Sequence, residues 1–86
     1  MSFKDMNSKV IRKGSYLLDL KDLKIYSVTK TDKYDIYLDN GEACDNAGYF
    51  ENFTIVVPSS RVSILNPILS LAREVISRER GSVTNE

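Results

Sequence analysis

The sequence predicts an α+β fold: a small, curved antiparallel sheet of four or five strands, followed by one C-terminal amphipathic helix. Apolar and polar residues alternate between residues 14 and 65, which is the pattern of strands that bury one face. Short polar turns separate these segments, as they do in hairpins. From residue 67 onward apolar residues recur at steps of three and four, which is the spacing of one helix face.

Length and composition predict one domain in the cytoplasm. The chain has 86 residues, which suits a single small domain. No apolar run approaches the roughly 20 residues of a membrane span. The first ten residues, MSFKDMNSKV, carry charges where a signal peptide needs an apolar segment. Cys44 is the only cysteine, so no internal disulfide can form, which fits a reducing compartment.

Residues 1–9 precede the first strand, and two conformations fit them. Ser2 and Asp5 have the spacing of a helix capping box, and Phe3 and Met6 lie three residues apart, as on one face of a short helix. A loose basic arm that leads into a strand at Val10 fits the same residues equally well. Both alternatives remain open from the sequence.

Five segments have the alternation of strands. The segments GSYLLDL, LKIYSVTKT and KYDIYLD are joined by the polar turns KD at 21–22 and TDK at 31–33, so they form antiparallel hairpins. The segment NFTIVVP is a fourth strand that ends at Pro58, and RVSIL at 61–65 is a short fifth. Apolar side chains that share a face are Tyr16, Leu18 and Leu20; Tyr26 and Val28; Tyr34, Ile36 and Leu38; Phe53, Ile55 and Val57; and Val62 and Ile64.

Residues 67–80 are predicted to form the helix. Asn66 suits the N-cap, Pro67 the first helical position, and Gly81 the C-terminal stop. The apolar stripe packs on the sheet of the same chain or on another chain. We therefore expect one domain over 10–80, with its strands within 14–65, and a disordered tail over 81–86. The apolar positions of the helix are Ile68, Leu69, Leu71, Ala72, Val75 and Ile76.

The acidic segment DNGEACDNAGYFE, residues 39–51, is predicted to be a connection between strands. It lacks the oxygen ligands at positions 1, 3, 5, 7, 9 and 12 that a calcium-binding loop of the helix–loop–helix kind needs. Asn40-Gly41 instead suits the centre of a type I′ hairpin turn. Residues 45–48 are predicted to form a second polar turn. We expect no metal ion here.

The chemistry that most enzymes need is absent from the composition. The chain has no histidine, which removes the commonest general base and metal ligand. A single cysteine excludes a cysteine-rich zinc site. The four glycines do not form a phosphate-binding motif. We therefore expect no enzymatic activity, no cofactor and no small-molecule substrate.

Tyrosines and an uneven charge favour a binding protein. Net charge is zero, but residues 1–30 carry seven basic and three acidic side chains, whereas residues 31–60 carry one basic and six acidic side chains. Such asymmetry steers partners. We expect docking to another macromolecule, first of all a protein. The candidate partner-binding residues are Tyr37, Asp39, Glu42, Asp45, Tyr49 and Glu51, and the candidate interface for a homo-oligomer is Leu69, Leu71, Ala72, Val75 and Ile76.

Binding of nucleic acid is the alternative, because lysines and tyrosines share the N-terminal half. Tyrosine beside lysine or arginine can stack on bases. A net charge of zero argues against this alternative, since phosphate binding normally needs a positive excess. The candidate contacts are Lys9, Arg12, Lys13, Tyr16, Lys24, Tyr26 and Lys30.

The run RKGSYLLDLKDLKIYSVTKTDKYDIYLDNGE, residues 12–42, resembles the opening of a small SH3-like barrel of the KOW-type modules. The resemblance rests on the entry Lys13-Gly14, a strand containing IYSV and an alternating strand closed by LDNG. It implies an SH3-like partial barrel that binds nucleic acid, ribosomal or transcription partners, or peptides, and the fold alone does not choose among them. The C-terminal helix departs from a minimal barrel. In size and in its lack of catalytic residues, the chain resembles small accessory proteins of bacteria and their phages.

Overall fold

The structure, a computed structural model, describes residues 2–84, with side chains described through residue 79. It confirms the α+β class and the curved antiparallel sheet, and it shows that the sheet is open. The order along the chain is β1 (Tyr16–Asp19), β2 (Lys24–Thr31), β3 (Ile36–Leu38), β4 (Ala43–Cys44), α1 (Ala47–Phe53), β5 (Thr54–Val57) and α2 (Ser59–Thr84).

The five strands form one sheet in the order β4-β3-β2-β1-β5, with every neighbouring pair antiparallel. Leu17 in the middle of β1 pairs with Tyr26 of β2 on one side and with Val56 of β5 on the other. The register of β2 and β3 shifts between Val28 and Lys30. Such an irregularity bends a strand and increases its twist, which accounts for the curvature here.

The main core lies on the face of the sheet that α1 covers. Its buried side chains are Ile11, Leu17, Val28, Ile36 and Phe50, and Phe3, Leu38, Cys44 and Val56 pack against them. The T-shaped contact between the rings of Phe3 and Phe50, with centroids 5.4 Å apart, joins the N-terminal loop to α1. The interior of this domain is therefore built from the N-terminal loop, the sheet and α1.

The longer helix, α2, packs against β2, and most of its described side chains remain exposed. Its Leu69 is buried, as is Val57 of β5, and both lie outside the main core cluster. The Arg73 guanidinium donates a hydrogen bond to the carbonyl of Leu23 in the β1–β2 turn. The predicted packing of the helix on the sheet therefore holds for only part of its apolar surface.

The predicted start of this helix at Asn66-Pro67 is wrong, as is the predicted strand at 61–65. The helix α2 begins at Ser59, directly after Pro58, and Pro67 lies inside it. Val62 and Ile64 are two residues apart, so they fit a strand locally. The same segment also continues the helical spacing back from Leu69 through Leu65 to Val62, and packing on the sheet favours that continuation over the loss of one backbone hydrogen bond at Pro67.

Residues 2–9 adopt neither of the two predicted conformations. Lys4 forms an isolated antiparallel bridge with Val10, and Ser8 has a positive φ of 64°. The side chain of Asp5, predicted to cap a helix, is buried instead. These residues form a tight loop against the edge of the sheet rather than a short helix or a loose arm.

The acidic segment holds a hairpin and a helix. Asn40-Gly41 does connect two antiparallel strands, but only Gly41 has a positive φ, 86°, so the type I′ geometry is wrong. The polar turn predicted at 45–48 is also wrong, since Asn46 caps α1 by accepting a hydrogen bond from the amide of Tyr49. At the other end of the chain, α2 continues through 81–84, and the rest of the predicted disordered tail lies outside the described residues.

Candidate functional site

A pocket of about 190 Å³ opens between the core face of the sheet and α1. Leu17, Phe50 and Thr54 are its buried lining residues, and Glu42 and Asn46 are exposed ones. The remaining lining residues are Asp19, Tyr26, Leu38, Cys44 and Tyr49. The pocket thus combines an apolar and aromatic lining with two carboxylates.

Two tyrosines hold carboxylates at this pocket. The Tyr49 hydroxyl donates to Asp19 Oδ2 at 2.5 Å, which joins α1 to β1, and the Tyr26 hydroxyl donates to the carboxylate of Asp22. Burial and then the hydrogen bond to Asp19 raise the pKa of Tyr49. The hydrogen bond to Asp22, followed by burial, raises the pKa of Tyr26 to about 12. Both hydroxyls therefore stay protonated at neutral pH and orient their carboxylates.

A cation already contacts the aromatic side of this region. The Lys21 Nζ lies 4.6 Å from the centroid of the Phe53 ring and 5.8 Å from that of Tyr49. Ammonium groups at these distances are attracted by the negative faces of the rings. The surface next to the pocket is therefore able to accept positive charge.

We expect the free energy of unfolding to fall between about pH 10 and pH 12 through Tyr26. The pKa of Tyr26 is raised from 10.0 to about 12, so across this window the folded protein keeps a proton that the unfolded chain releases. The contribution is complete below pH 10 and is lost as the pH rises through 12. Urea unfolding at pH 8 and pH 11 measures the change, and Tyr26→Phe should reduce it.

Absorbance at 295 nm provides the direct control for this prediction. A component of the tyrosine titration should have a midpoint near pH 12 in the folded protein, and Tyr26→Phe should remove it. Tyr34→Phe, which alters an exposed ring, should leave that component in place. A Tyr26→Phe protein in which the lost absorbance titrates near pH 10 rather than near pH 12 would contradict the assignment.

A second candidate surface is the outer side of α2. Ile64, Ile68, Leu71 and Val75 are between 44% and 64% exposed, although all are large aliphatic residues. Their spacing of four, three and four residues places them in one stripe along the helix. We call these four residues the α2 stripe. Ile76 is also exposed, at the side of α2 that approaches the β1–β2 turn.

The structure brings together only part of the predicted partner-binding set. Glu42 and Tyr49 line the same pocket. Tyr37 lies elsewhere, where its hydroxyl donates to Asp32 and the Lys30 Nζ lies 5.1 Å from its ring centroid. The others are apart from the pocket: Asp39 accepts a hydrogen bond from the Ser27 hydroxyl, Asp45 lies beside Phe3 and Tyr34, and Glu51 is exposed on α1.

The structure exposes only part of the predicted oligomer interface. Leu71, Val75 and Ile76 are exposed, whereas Leu69 is buried and Ala72 is half-buried. Ile64 and Ile68, which complete the α2 stripe, were not predicted as interface residues. Their heptad spacing with Leu71 and Val75 is the signal that identifies them. It was already visible for Ile68 within the predicted helix, and it becomes visible for Ile64 only when the helix is extended back beyond Pro67.

The residues predicted for nucleic-acid contacts lie on different parts of the surface. Tyr26 lines the acidic pocket, and its hydroxyl is bonded to Asp22. Arg12 and Lys13 line a shallow depression with Asp32, and Lys30 lies over Tyr37. Lys9 and Lys24 are exposed and Tyr16 is half-buried. Binding of nucleic acid remains a prediction.

Three further observations concern metal ligands, membrane-spanning helices and similar proteins. Among the described residues, no group of three or more His, Cys, Asp and Glu side chains is arranged to hold a metal ion. Within the same residues, no helix is both long enough and apolar enough to cross a bilayer. Comparisons with protein-family models, with curated proteins and with solved structures found no match.

Proposed function

We propose that this chain is a small non-enzymatic binding protein that acts by docking to another protein through α2. The observation that carries the proposal is the exposure of the α2 stripe. Together with Ile76, its side chains expose apolar area on the order of 400–500 Å², which is as large as the largest patch on most monomers and is often functional. Exposed apolar patches of this size often mark the site where a partner binds.

The occupant that fits this stripe best is the same helix of a second copy. Residues at alternating spacings of three and four pack as the seam of two helices. In an antiparallel pair about a two-fold axis, Ile64 faces Val75 of the second copy and Ile68 faces Leu71. The surface is thus complementary to itself, as a symmetric dimer requires. Two copies of the stripe bury apolar area on the order of 800 Å², and the polar residues beside the seam add to this contact.

The charges at the ends of the stripe fit the same arrangement. Glu74 and Arg78 form an exposed ion pair on one helix, with 2.5 Å between Oε1 and Nη2. In the antiparallel register, Arg61 of one copy lies opposite Arg78 of the other and about one helical turn from its Glu74. The Glu74 carboxylate then lies near both guanidinium groups and offsets the repulsion between them. Such rim charges favour one orientation of the helices over the other.

We expect sedimentation equilibrium to show a dimer of the wild-type protein and a monomer of Leu71→Glu. The substitution puts a charge into the seam twice in each dimer, so the dissociation constant should rise by about 100-fold or more. Leu71 is exposed in the single chain, so circular dichroism should show an unchanged fold. A matched control is Ser70→Glu, which adds the same charge to an exposed position on another side of α2.

Two outcomes would contradict the proposed dimer. One is a wild-type protein that sediments as a monomer at about 100 μM. The other is a Ser70→Glu variant that dissociates as readily as Leu71→Glu, because the effect would then come from charge rather than from the stripe.

We also propose that the sheet is an SH3-like partial barrel of the KOW type. This fold is supported by the pairing of the first strand, β1, with both β2 and the last strand, β5. The long β2 also connects the two halves of the sheet, since it pairs with β1 near its start and with β3 near its end. The barrel by itself does not choose between a protein and a nucleic acid as the partner, so docking to a protein rests on the α2 stripe. A cytoplasmic location is part of the same proposal.

A further inference from the structure

We infer that the pocket between the sheet and α1 binds an organic cation: a protonated amine or a guanidinium group on an unbranched apolar stem. The side chain of a lysine or arginine in a partner peptide has this chemistry, and so does a free polyamine. This ligand site lies apart from the α2 stripe and does not depend on the dimer.

The size and lining of the pocket suit the apolar stem. The pocket has a volume of about 190 Å³. A water molecule takes about 30 Å³, so there is room for roughly six heavy atoms. Leu17, Leu38 and Phe50 provide an apolar lining, and Leu17 and Phe50 are buried. An aliphatic chain gains from leaving water for such a surface, whereas a compact hydrated ion does not.

The charge of the pocket selects a cation over an anion. Asp19 and Glu42 both line it, and none of its lining residues is basic. Among the side chains of residues 2–79, neither carboxylate takes part in an ion pair. Their charge is therefore available to a ligand, and it repels anions such as phosphate.

The tyrosines orient this charge and add attraction of their own. The hydrogen bond from Tyr49 fixes Asp19, so the carboxylate is held before the ligand arrives. Tyr49 also lines the pocket, and the Lys21 ammonium lies 5.8 Å from the centroid of its ring, so this ring attracts a positive charge. Carboxylates and aromatic rings around an apolar slot form the combination that recognises alkylammonium and alkylguanidinium groups.

The test is a titration followed by two-dimensional amide NMR, with butylguanidinium and its neutral analogue butylurea. Butylguanidinium should shift the amide signals of Leu17, Tyr49 and Phe50, with a dissociation constant on the order of 1 mM for so small a ligand. Butylurea has almost the same shape but no charge, so it should bind at least tenfold more weakly. The same shifts should appear in Leu71→Glu, which separates this site from the dimer.

Two acidic positions provide the matched variants. Glu42→Gln removes one exposed carboxylate of the pocket and should weaken binding about threefold to fivefold, since solvent screens it. Asp19→Asn should weaken binding by about tenfold. Glu51→Gln makes the same change at an exposed position on α1 outside the pocket and should have no effect. If Asp19→Asn fails to fold, Glu42→Gln still tests the inferred cation site, because the Glu42 side chain lies at the surface.

The source of the cation is distinguished by two further ligands. A capped peptide with one central lysine or arginine tests a protein partner, and spermidine tests a free polyamine. If the peptide binds more tightly than butylguanidinium and spermidine, the source is a protein. If spermidine binds more tightly than the peptide, the source is a free small molecule. Three results would overturn the inference. They are binding of butylurea as tight as that of butylguanidinium, a loss of affinity in Glu51→Gln as large as in Glu42→Gln, and no shift of the amide signals at 20 mM butylguanidinium.

Discussion

We expect Asp5→Asn to lower the free energy of unfolding by about 2–4 kcal/mol, because the buried carboxylate joins the N-terminal loop to the edge of the sheet. Asp5 is 2% exposed. Its Oδ1 accepts hydrogen bonds from the amides of Asn7 at 2.9 Å and Lys9 at 2.8 Å, and its Oδ2 accepts one from the amide of Val56 at 2.7 Å. Asparagine keeps one acceptor oxygen and turns an NH₂ group toward the remaining amide donors.

The loop that Asp5 organises also protects the last strand of the sheet. Among residues 2–84, β5 pairs with a strand on one side only, β1, so its other edge presents backbone groups that no strand pairs. Asp5 accepts the hydrogen bond of Val56 at this edge, and the amide of Met6 donates to the carbonyl of Thr54 at 3.0 Å. Exposed strand edges favour aggregation. Loss of Asp5 should therefore also increase the exchange of the Val56 amide proton with solvent.

Urea unfolding followed by circular dichroism measures the effect of Asp5→Asn at constant pH. Asp45→Asn is the matched control, because Asp45 is exposed, and it should change the free energy of unfolding by no more than about 0.5 kcal/mol. Equal stability of the Asp5→Asn protein and the wild type, or unchanged exchange at Val56, would contradict the role assigned to this carboxylate.

The second large effect is expected for Phe50→Ala, at about 3–5 kcal/mol of destabilisation. Phe50 is 2% exposed and belongs to the core cluster of the sheet. Its ring contacts Phe3 of the N-terminal loop at 5.4 Å and 72°, and Tyr49 at 6.2 Å and 89°, both as edge contacts. Truncation leaves a cavity where three parts of the chain meet, and the short helix α1 has few other buried side chains to hold it in place.

Thermal and urea unfolding of three variants test this prediction. Phe50→Leu keeps most of the volume and should cost less than half as much as Phe50→Ala. Tyr34→Ala removes a ring that is 71% exposed and should leave stability almost unchanged. A Phe50→Ala protein as stable as the Tyr34→Ala protein would show that α1 is not anchored by this ring.

The hairpins of β1, β2 and β3 could be predicted from the sequence because their signals are local. Alternation of apolar and polar residues defines each strand, and the turns between them are too short to allow another connection. The predicted pairing of the segments around Leu18, Ile25 and Ile36 is the pairing that the structure shows. The presence of a C-terminal helix was predicted for the same reason, although its predicted start at residue 67 was wrong.

The helix α1 could not be predicted because nothing in its local sequence requires a helix. Ala47–Phe53 is only seven residues long, too short to be stable alone in water. Its cap, Asn46, is equally suited to a turn. Contact of Phe50 with the sheet and with Phe3 stabilises the helix, and these contacts are distant in the sequence.

The sequence by itself determined the fold class, the first hairpins and the presence of a C-terminal amphipathic helix, since each depends on neighbours within about ten residues. Tertiary structure alone decided the burial of Asp5, the placement of Glu42 and Tyr49 at one pocket, and which apolar side of α2 the single chain leaves exposed. The physical reason is common to all three. A side chain's environment is set by segments that arrive from far along the chain, such as Val56 at Asp5 and Asp19 at Tyr49, and no local pattern records them.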